Sequence, residues 1–144
     1  MNEIEKLSAL YIATLKVMVL THQHNHWLSK GDTFYADHLL LQRIYESASQ
    51  DLDAAAEKMV GLLGDDFMDY SYQANLMSKL FAKYSKLDGM KSSLQVEKDF
   101  VKLSKTVYDA FEKAEKMTLG LDDLIMAISD NREESIYLLG RVSL

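Results

Sequence analysis

Apolar residues recur at steps of three and four along most of the chain, a spacing typical of amphipathic α-helices. One such series follows a single helical face through Ile4, Leu7, Tyr11, Leu15, Met18, His22 and His26. A second series alternates steps of four and three through Phe34, His38, Leu41, Tyr45, Ala48, Leu52, Ala55, Met59 and Leu62. We therefore predict a long helix that stops near Lys30-Gly31, then a second of about thirty residues ending between Gly61 and Gly64.

The rest of the chain predicts a crossover and two more long helices. Residues 65–90 are less periodic, with a shorter helix expected from Ala74 to Leu87 and a turn at Asp88-Gly89. The third long helix is marked by Val96, Phe100, Leu103, Val107, Ala110, Ala114 and Met117. After an interruption at Gly120, the last carries Leu121, Leu124, Ile125, Ile128, Ile136 and Leu139. This order predicts an all-α four-helix bundle in which a long crossover carries a short helix, the connectivity of ferritin-like folds, with residues 1–144 as one domain.

Composition agrees with this fold and narrows the chemistry. The 144 residues are 48% hydrophobic and 26% charged, with no proline and six glycines. Because there is no cysteine, a metal site would use His, Asp, Glu, carbonyls or water. The net charge of −6 argues against binding nucleic acid through bulk electrostatics. No apolar run is long enough to span a membrane, and the opening MNEIEKLSAL is too acidic for a secretory signal, so we expect a cytoplasmic protein.

Three of the four histidines lie in the segment THQHNHW, residues 21–27, and the fourth is His38. His26 and His38 continue the apolar faces of the first two helices, while Asp53 and Glu57 share one face of the second. Together they make a mixed imidazole and carboxylate set that suits iron, manganese or zinc. A simpler interpretation stays open, in which the histidines are core residues and the carboxylates are solvated.

The spacing of these four residues has a geometric consequence. His38 and Asp53 lie on one helix at a separation of roughly 22 Å, given a rise of about 1.5 Å per residue, so one chain cannot bring both to the same ion. A two-fold axis with antiparallel second helices would pair the histidines of one subunit with the carboxylates of another. An ordinary di-iron centre inside the subunit is not expected, since no glutamate precedes a histidine by three residues.

Three segments resemble the Dps-type mini-ferritins: HWLSKGDTFYADH (26–38), DLDAAAEKM (51–59) and LDDLIMAISDNREESIYLLGRVSL (121–144). The resemblance implies a hollow dodecamer, built from two-fold dimers, that oxidises Fe(II) with hydrogen peroxide or oxygen and stores the ferric mineral. It also implies that His26 and His38 of one subunit, with Asp53 and Glu57 of its partner, form the catalytic and metal-binding site. Iron is the expected metal, zinc or manganese can occupy the same donors, and Trp27 is expected to pack beside the site.

Two positions depart from the family pattern. Leu39 and Gln42 stand where the family usually has acids, which puts mineral storage in doubt more than metal binding, and Glu46 is the candidate replacement. DNA binding is not expected, because the chain is acidic and lacks a basic tail. His22 and His24 have no assigned role. The candidates for an iron entry pore are Asp122, Asp123 and Asp130.

Other functions remain open at this point. The main alternative is a Dps-like shell or helical-bundle binding module that has lost efficient iron storage. A helical adaptor with a superficial resemblance and a DNA-compacting protein are the others.

Overall fold

The computed structural model describes residues 1–142, which form five α-helices and no strand. The helices are α1 (Glu3–Leu28), α2 (Phe34–Leu63), α3 (Tyr70–Tyr84), α4 (Gly89–Lys113) and α5 (Leu119–Val142), with a short 3₁₀ turn at Asp66–Met68. The four long helices form the bundle, and α3 lies in the crossover against α1. The predicted architecture is confirmed. Ser143 and Leu144, the end of the third matched segment, lie outside the described residues. Within residues 1–142, no helix has the length and apolar character needed to cross a membrane.

The turn between α1 and α2 follows from local chemistry. α1 opens with a capping box, in which the Asn2 side chain accepts from the Glu5 backbone and the Glu5 side chain accepts from the Asn2 backbone. It ends at Leu28, and the chain reverses through Gly31 at a φ of +95°, which L-residues rarely adopt. The predicted stop at this glycine is therefore confirmed, and it brings the end of α1 beside the start of α2.

The apolar stripes of the helices meet in one main core. α1 is the most enclosed element, because it packs against α2, α3 and α4. Its fully buried side chains include Tyr11, Ile12, Leu15 and Met18. A smaller cluster of Leu41, Ile44 and Leu139 packs against Met90 and Leu94.

Some helix boundaries differ from the predictions. α3 begins at Tyr70, not Ala74, because the Asp69 side chain accepts a 2.9 Å hydrogen bond from the backbone of Tyr72 and caps the helix. α4 begins at Gly89, at the predicted turn, but it ends at Lys113, before Ala114 and Met117 of its predicted apolar series. The break before α5 lies at residues 114–118, where Glu115 has a positive φ of 58°, and Gly120 is already inside α5.

The centre of the bundle contains four charged or titratable side chains, which we call the interior charge cluster: His22, Asp51, Glu97 and Arg132. Arg132 is 0% exposed, and its Nε lies 3.4 Å from both Glu97 Oε1 and Asp51 Oδ2. Its Nη2 donates a 2.9 Å hydrogen bond to Ser47, and His22 Nε2 lies 3.4 Å from Glu97 Oε2. Each of the four long helices contributes one member, so the contacts within the cluster connect all four helices.

We expect the Glu97→Gln variant to lose about 3–5 kcal/mol of unfolding free energy, because it leaves a buried guanidinium short of a charged partner. Glu134→Gln is a matched control, since Glu134 pairs with Arg43 at 2.6 Å but both side chains are more than half exposed. That change should cost no more than about 1 kcal/mol. Urea unfolding measures both, and equal losses would show that burial does not set the strength of these pairs.

The crossover helix is held to α4 through Asp99. Its carboxylate accepts hydrogen bonds from Tyr84 Oη at 2.7 Å, Lys83 Nζ at 2.9 Å and Gln95 Nε2 at 2.9 Å. Burial acts to raise the pKa of Asp99, but the hydrogen bonds and the Lys83 charge together outweigh it and hold that pKa below its ordinary value.

We expect Asp99→Asn to lower the unfolding free energy by about 1–2 kcal/mol at neutral pH. Because the pKa of Asp99 is lower in the folded than in the unfolded chain, its contribution is complete above the unfolded value near about 3.9. It is lost as the pH falls through the folded value, so the difference from wild type should shrink below about pH 4. Urea unfolding at a series of pH values checks this, and a pH-independent difference would contradict it.

Candidate metal site

His26 and His38 lie together where α1 ends and α2 begins. His26 is in the last turn of α1, and His38 is in the second turn of α2. Their rings are stacked, with centroids 3.7 Å apart and planes inclined by 15°. His26 is buried and His38 is half-buried. The turn at Gly31 thus places two imidazoles side by side at one end of the bundle.

Crossed hydrogen bonds fix both rings. His26 Nδ1 donates to the backbone carbonyl of His38 at 2.6 Å, and His38 Nδ1 donates to the carbonyl of His26 at 2.8 Å. A carbonyl only accepts, so each neutral ring carries its proton on Nδ1 and leaves a lone pair on Nε2. Neither Nε2 has a hydrogen-bond partner among residues 1–142. Backbone carbonyls commonly orient metal-binding histidines in this way, so the pair offers two nitrogen donors in fixed orientations.

Two aromatic rings flank the histidines. The Phe34 ring centroid lies 5.1 Å from that of His38, and Tyr45 presents its edge to His26 at 5.3 Å. Neither Phe34 nor Tyr45 was predicted to have a role in the site, although both belong to the apolar series of α2. Trp27, which was expected beside the site, is 64% exposed and makes no ring contact with either histidine in the described chain. It lines a groove of about 860 Å³ between the end of α1 and the α3–α4 turn.

Asp53 and Glu57 lie far from the histidine pair. Both are exposed, one turn apart on α2, and neither has a hydrogen-bond or ion-pair partner in the described chain. α2 runs without a break from Phe34 to Leu63, so the estimate of roughly 22 Å between His38 and Asp53 applies. No three His, Asp or Glu side chains among residues 1–142 are grouped to hold a metal ion. The four predicted ligands therefore form two half-sites: an imidazole half-site at the start of α2 and a carboxylate half-site towards its end.

The other singled-out residues are dispersed. His22 is fully buried in the interior charge cluster, and His24 is exposed at the groove. Leu39 is exposed, and Gln42 donates a 3.1 Å hydrogen bond to Glu46. The three pore candidates lie on α5, where Asp122 is half-buried and the other two are exposed: Asp123 and Asp130.

Comparison with known proteins identifies the fold. No protein-family model matches the chain, and no curated protein matches it. Among solved structures, it is similar to the X-ray structure of Dps from Thermosynechococcus elongatus, with a TM-score of 0.82 and 16% sequence identity. The match covers 99% of this chain and 90% of that one. The chain thus has a ferritin-like four-helix bundle with an additional short helix, and the bundle is of the Dps type.

We expect nitrogen-15 NMR of the metal-free protein to find both His26 and His38 with the proton on Nδ1 when neutral, because each Nδ1 has only a carbonyl to bond. His24, which is exposed and lacks such a partner, is the internal control. A proton on Nε2 of either paired ring would contradict the crossed hydrogen bonds.

Proposed function

We propose that the protein is a Dps-like mini-ferritin, a ferroxidase that binds Fe(II) where two subunits meet and oxidises it to Fe(III). The observation that carries the proposal is the stacked pair of His26 and His38, whose Nε2 atoms have no hydrogen-bond partner among residues 1–142. Asp53 and Glu57 would complete the donor set from a second subunit. Two imidazoles with two carboxylates suit iron, and the same set can take zinc or manganese.

The outward face of α2 supports the pairing of two subunits. Opposite the core, this face presents Tyr35, Leu39, Gln42, Glu46, Asp53 and Glu57. Its beginning is apolar and exposed, with Tyr35 at 69% and Leu39 at 44%, while its end bears the carboxylate half-site. In an antiparallel pair, a two-fold axis near Glu46 would lay each apolar beginning against the other subunit's end. Both imidazole half-sites would then meet carboxylate half-sites, giving two identical sites.

Each side chain has a distinct part in the reaction. The neutral imidazoles supply nitrogen donors, and the carboxylates offset the metal charge and favour Fe(III) over Fe(II). With hydrogen peroxide, two Fe(II) ions give one electron each, and peroxide takes up two protons to leave two waters. Because both electrons come from iron held at the site, less hydroxyl radical reaches solution. The Fe(III) would then pass to the cavity of a hollow oligomer, for which the resemblance implies twelve subunits.

The alternative is a Dps-like shell that no longer stores iron efficiently. Leu39 and Gln42 favour this alternative, because they stand where the Dps family usually has acids. They leave Glu46 as the acid on that part of the outward face, and Glu46 already accepts a hydrogen bond from Gln42. An assembled shell without a tight Fe(II) site would support this alternative. DNA is not an expected partner of a chain with a net charge of −6.

Mixing two inactive variants tests the shared site. Asp53→Ala/Glu57→Ala should abolish rapid Fe(II) oxidation, and so should His26→Ala/His38→Ala. When the two variant chains are mixed and reassembled, half of the dimers are mixed, and each mixed dimer has one complete site out of two. We therefore expect about a quarter of the wild-type rate, followed by ultraviolet absorption after a peroxide pulse.

Each parent variant reassembled alone is the control and should stay inactive. If the mixture is inactive while light scattering shows mixed oligomers, the site is not shared between subunits. If the Asp53→Ala/Glu57→Ala variant keeps rapid oxidation, those carboxylates are not ligands.

A further inference from the structure

The interior charge cluster gathers metal-binding side chains from three helices around a fourth. His22 comes from α1, Asp51 from α2 and Glu97 from α4, while Arg132 reaches them from α5. Helical bundles build metal sites from inward-facing carboxylates and histidines of facing helices. This set of His, Asp and Glu has the right chemistry for a borderline divalent cation, but a guanidinium occupies the space between the two carboxylates.

In the part of the chain that the structure describes, three potential metal-donor atoms of this cluster are buried without a hydrogen-bond partner: His22 Nδ1, Asp51 Oδ2 and Glu97 Oε1. Both of these oxygens lie 3.4 Å from Arg132 Nε, which is within ion-pair distance but without hydrogen-bond geometry. Arg132 thus supplies positive charge to the two carboxylates without saturating them.

We propose that the buried positive charge of Arg132 blocks a latent divalent-metal site formed by His22, Asp51 and Glu97. A metal ion approaching these donors would meet a fully buried positive charge. With Arg132 in place, the three side chains are not grouped as a metal site. Without it, two buried carboxylates would have no cation, which is strongly unfavourable unless another cation enters or they take up protons.

Arg132 would thereby restrict cation binding to the end of the bundle that carries the histidine pair. Divalent ions would be excluded from the bundle interior and left available to the imidazole and carboxylate half-sites. This inference rests on the cluster alone and does not require the proposed oxidation of iron.

Cobalt(II) binding to full-length variants tests the proposal, since Co²⁺ prefers similar ligands and absorbs visible light. We expect Arg132→Ala to bind one more Co²⁺ per chain than the wild type, measured by calorimetry and visible absorption. Arg132→Lys, which keeps a positive charge, should bind no more than the wild type. The double variant Arg132→Ala/Glu97→Gln should lose the added site because it lacks one ligand.

Every outcome decides the proposal. A folded Arg132→Ala that binds no additional Co²⁺ overturns it, as does an additional site in Arg132→Lys. If Arg132→Ala does not fold without metal, Co²⁺ must restore its helical circular dichroism, because metal binding and folding are coupled. A chain that stays unfolded in Co²⁺ overturns the proposal. The proposal is also overturned if the single substitution Glu97→Gln lowers the number of Co²⁺ ions bound per chain below that of the wild type.

Discussion

α2 is an unbroken helix from Phe34 to Leu63, and its rise fixes the distance between the two groups of candidate ligands. His38 lies near its beginning, and Asp53 and Glu57 lie more than half-way along it. A straight helix cannot fold back to bring them to one ion, so each group stays incomplete within the chain. If the two groups belong to one site, as proposed, this constraint requires a second subunit, and an antiparallel pair of α2 helices would supply it.

The bundle contains two sets of side chains of the types that bind metal ions, and the two sets have different surroundings. At the end of the bundle, the Nδ1 atoms of His26 and His38 donate to each other's backbone carbonyls, and neither Nε2 has a partner within residues 1–142. In the interior, Arg132 stands among His22, Asp51 and Glu97 and supplies the positive charge there. The histidine pair therefore presents two nitrogen lone pairs, whereas the interior cluster already contains the positive charge of Arg132.

The long amphipathic stripes allowed the bundle and the turn at Gly31 to be predicted, but polar packing did not show in the pattern. At the start of α4 the packing is polar, since Asn25 donates hydrogen bonds to the buried Ser92 and Ser93 at 3.0 and 2.7 Å. The interior charge cluster was missed because its members are distant in sequence and resemble solvated charges. The positions of two members could have indicated that they are buried, since Asp51 and Arg132 each fall on the apolar stripe of their helix. The crossed hydrogen bonds of the histidines depend on backbone placement, which spacing alone does not give.

The central claim is that one metal site is divided between two chains. Diffraction from crystals of the assembled protein, grown anaerobically with Fe(II) and measured at the iron absorption edge, tests it most directly. The expected anomalous peak lies between His26 and His38 of one chain and Asp53 and Glu57 of its partner. An iron peak ligated by residues of a single chain, or an assembled protein with no peak between these half-sites, would contradict the claim.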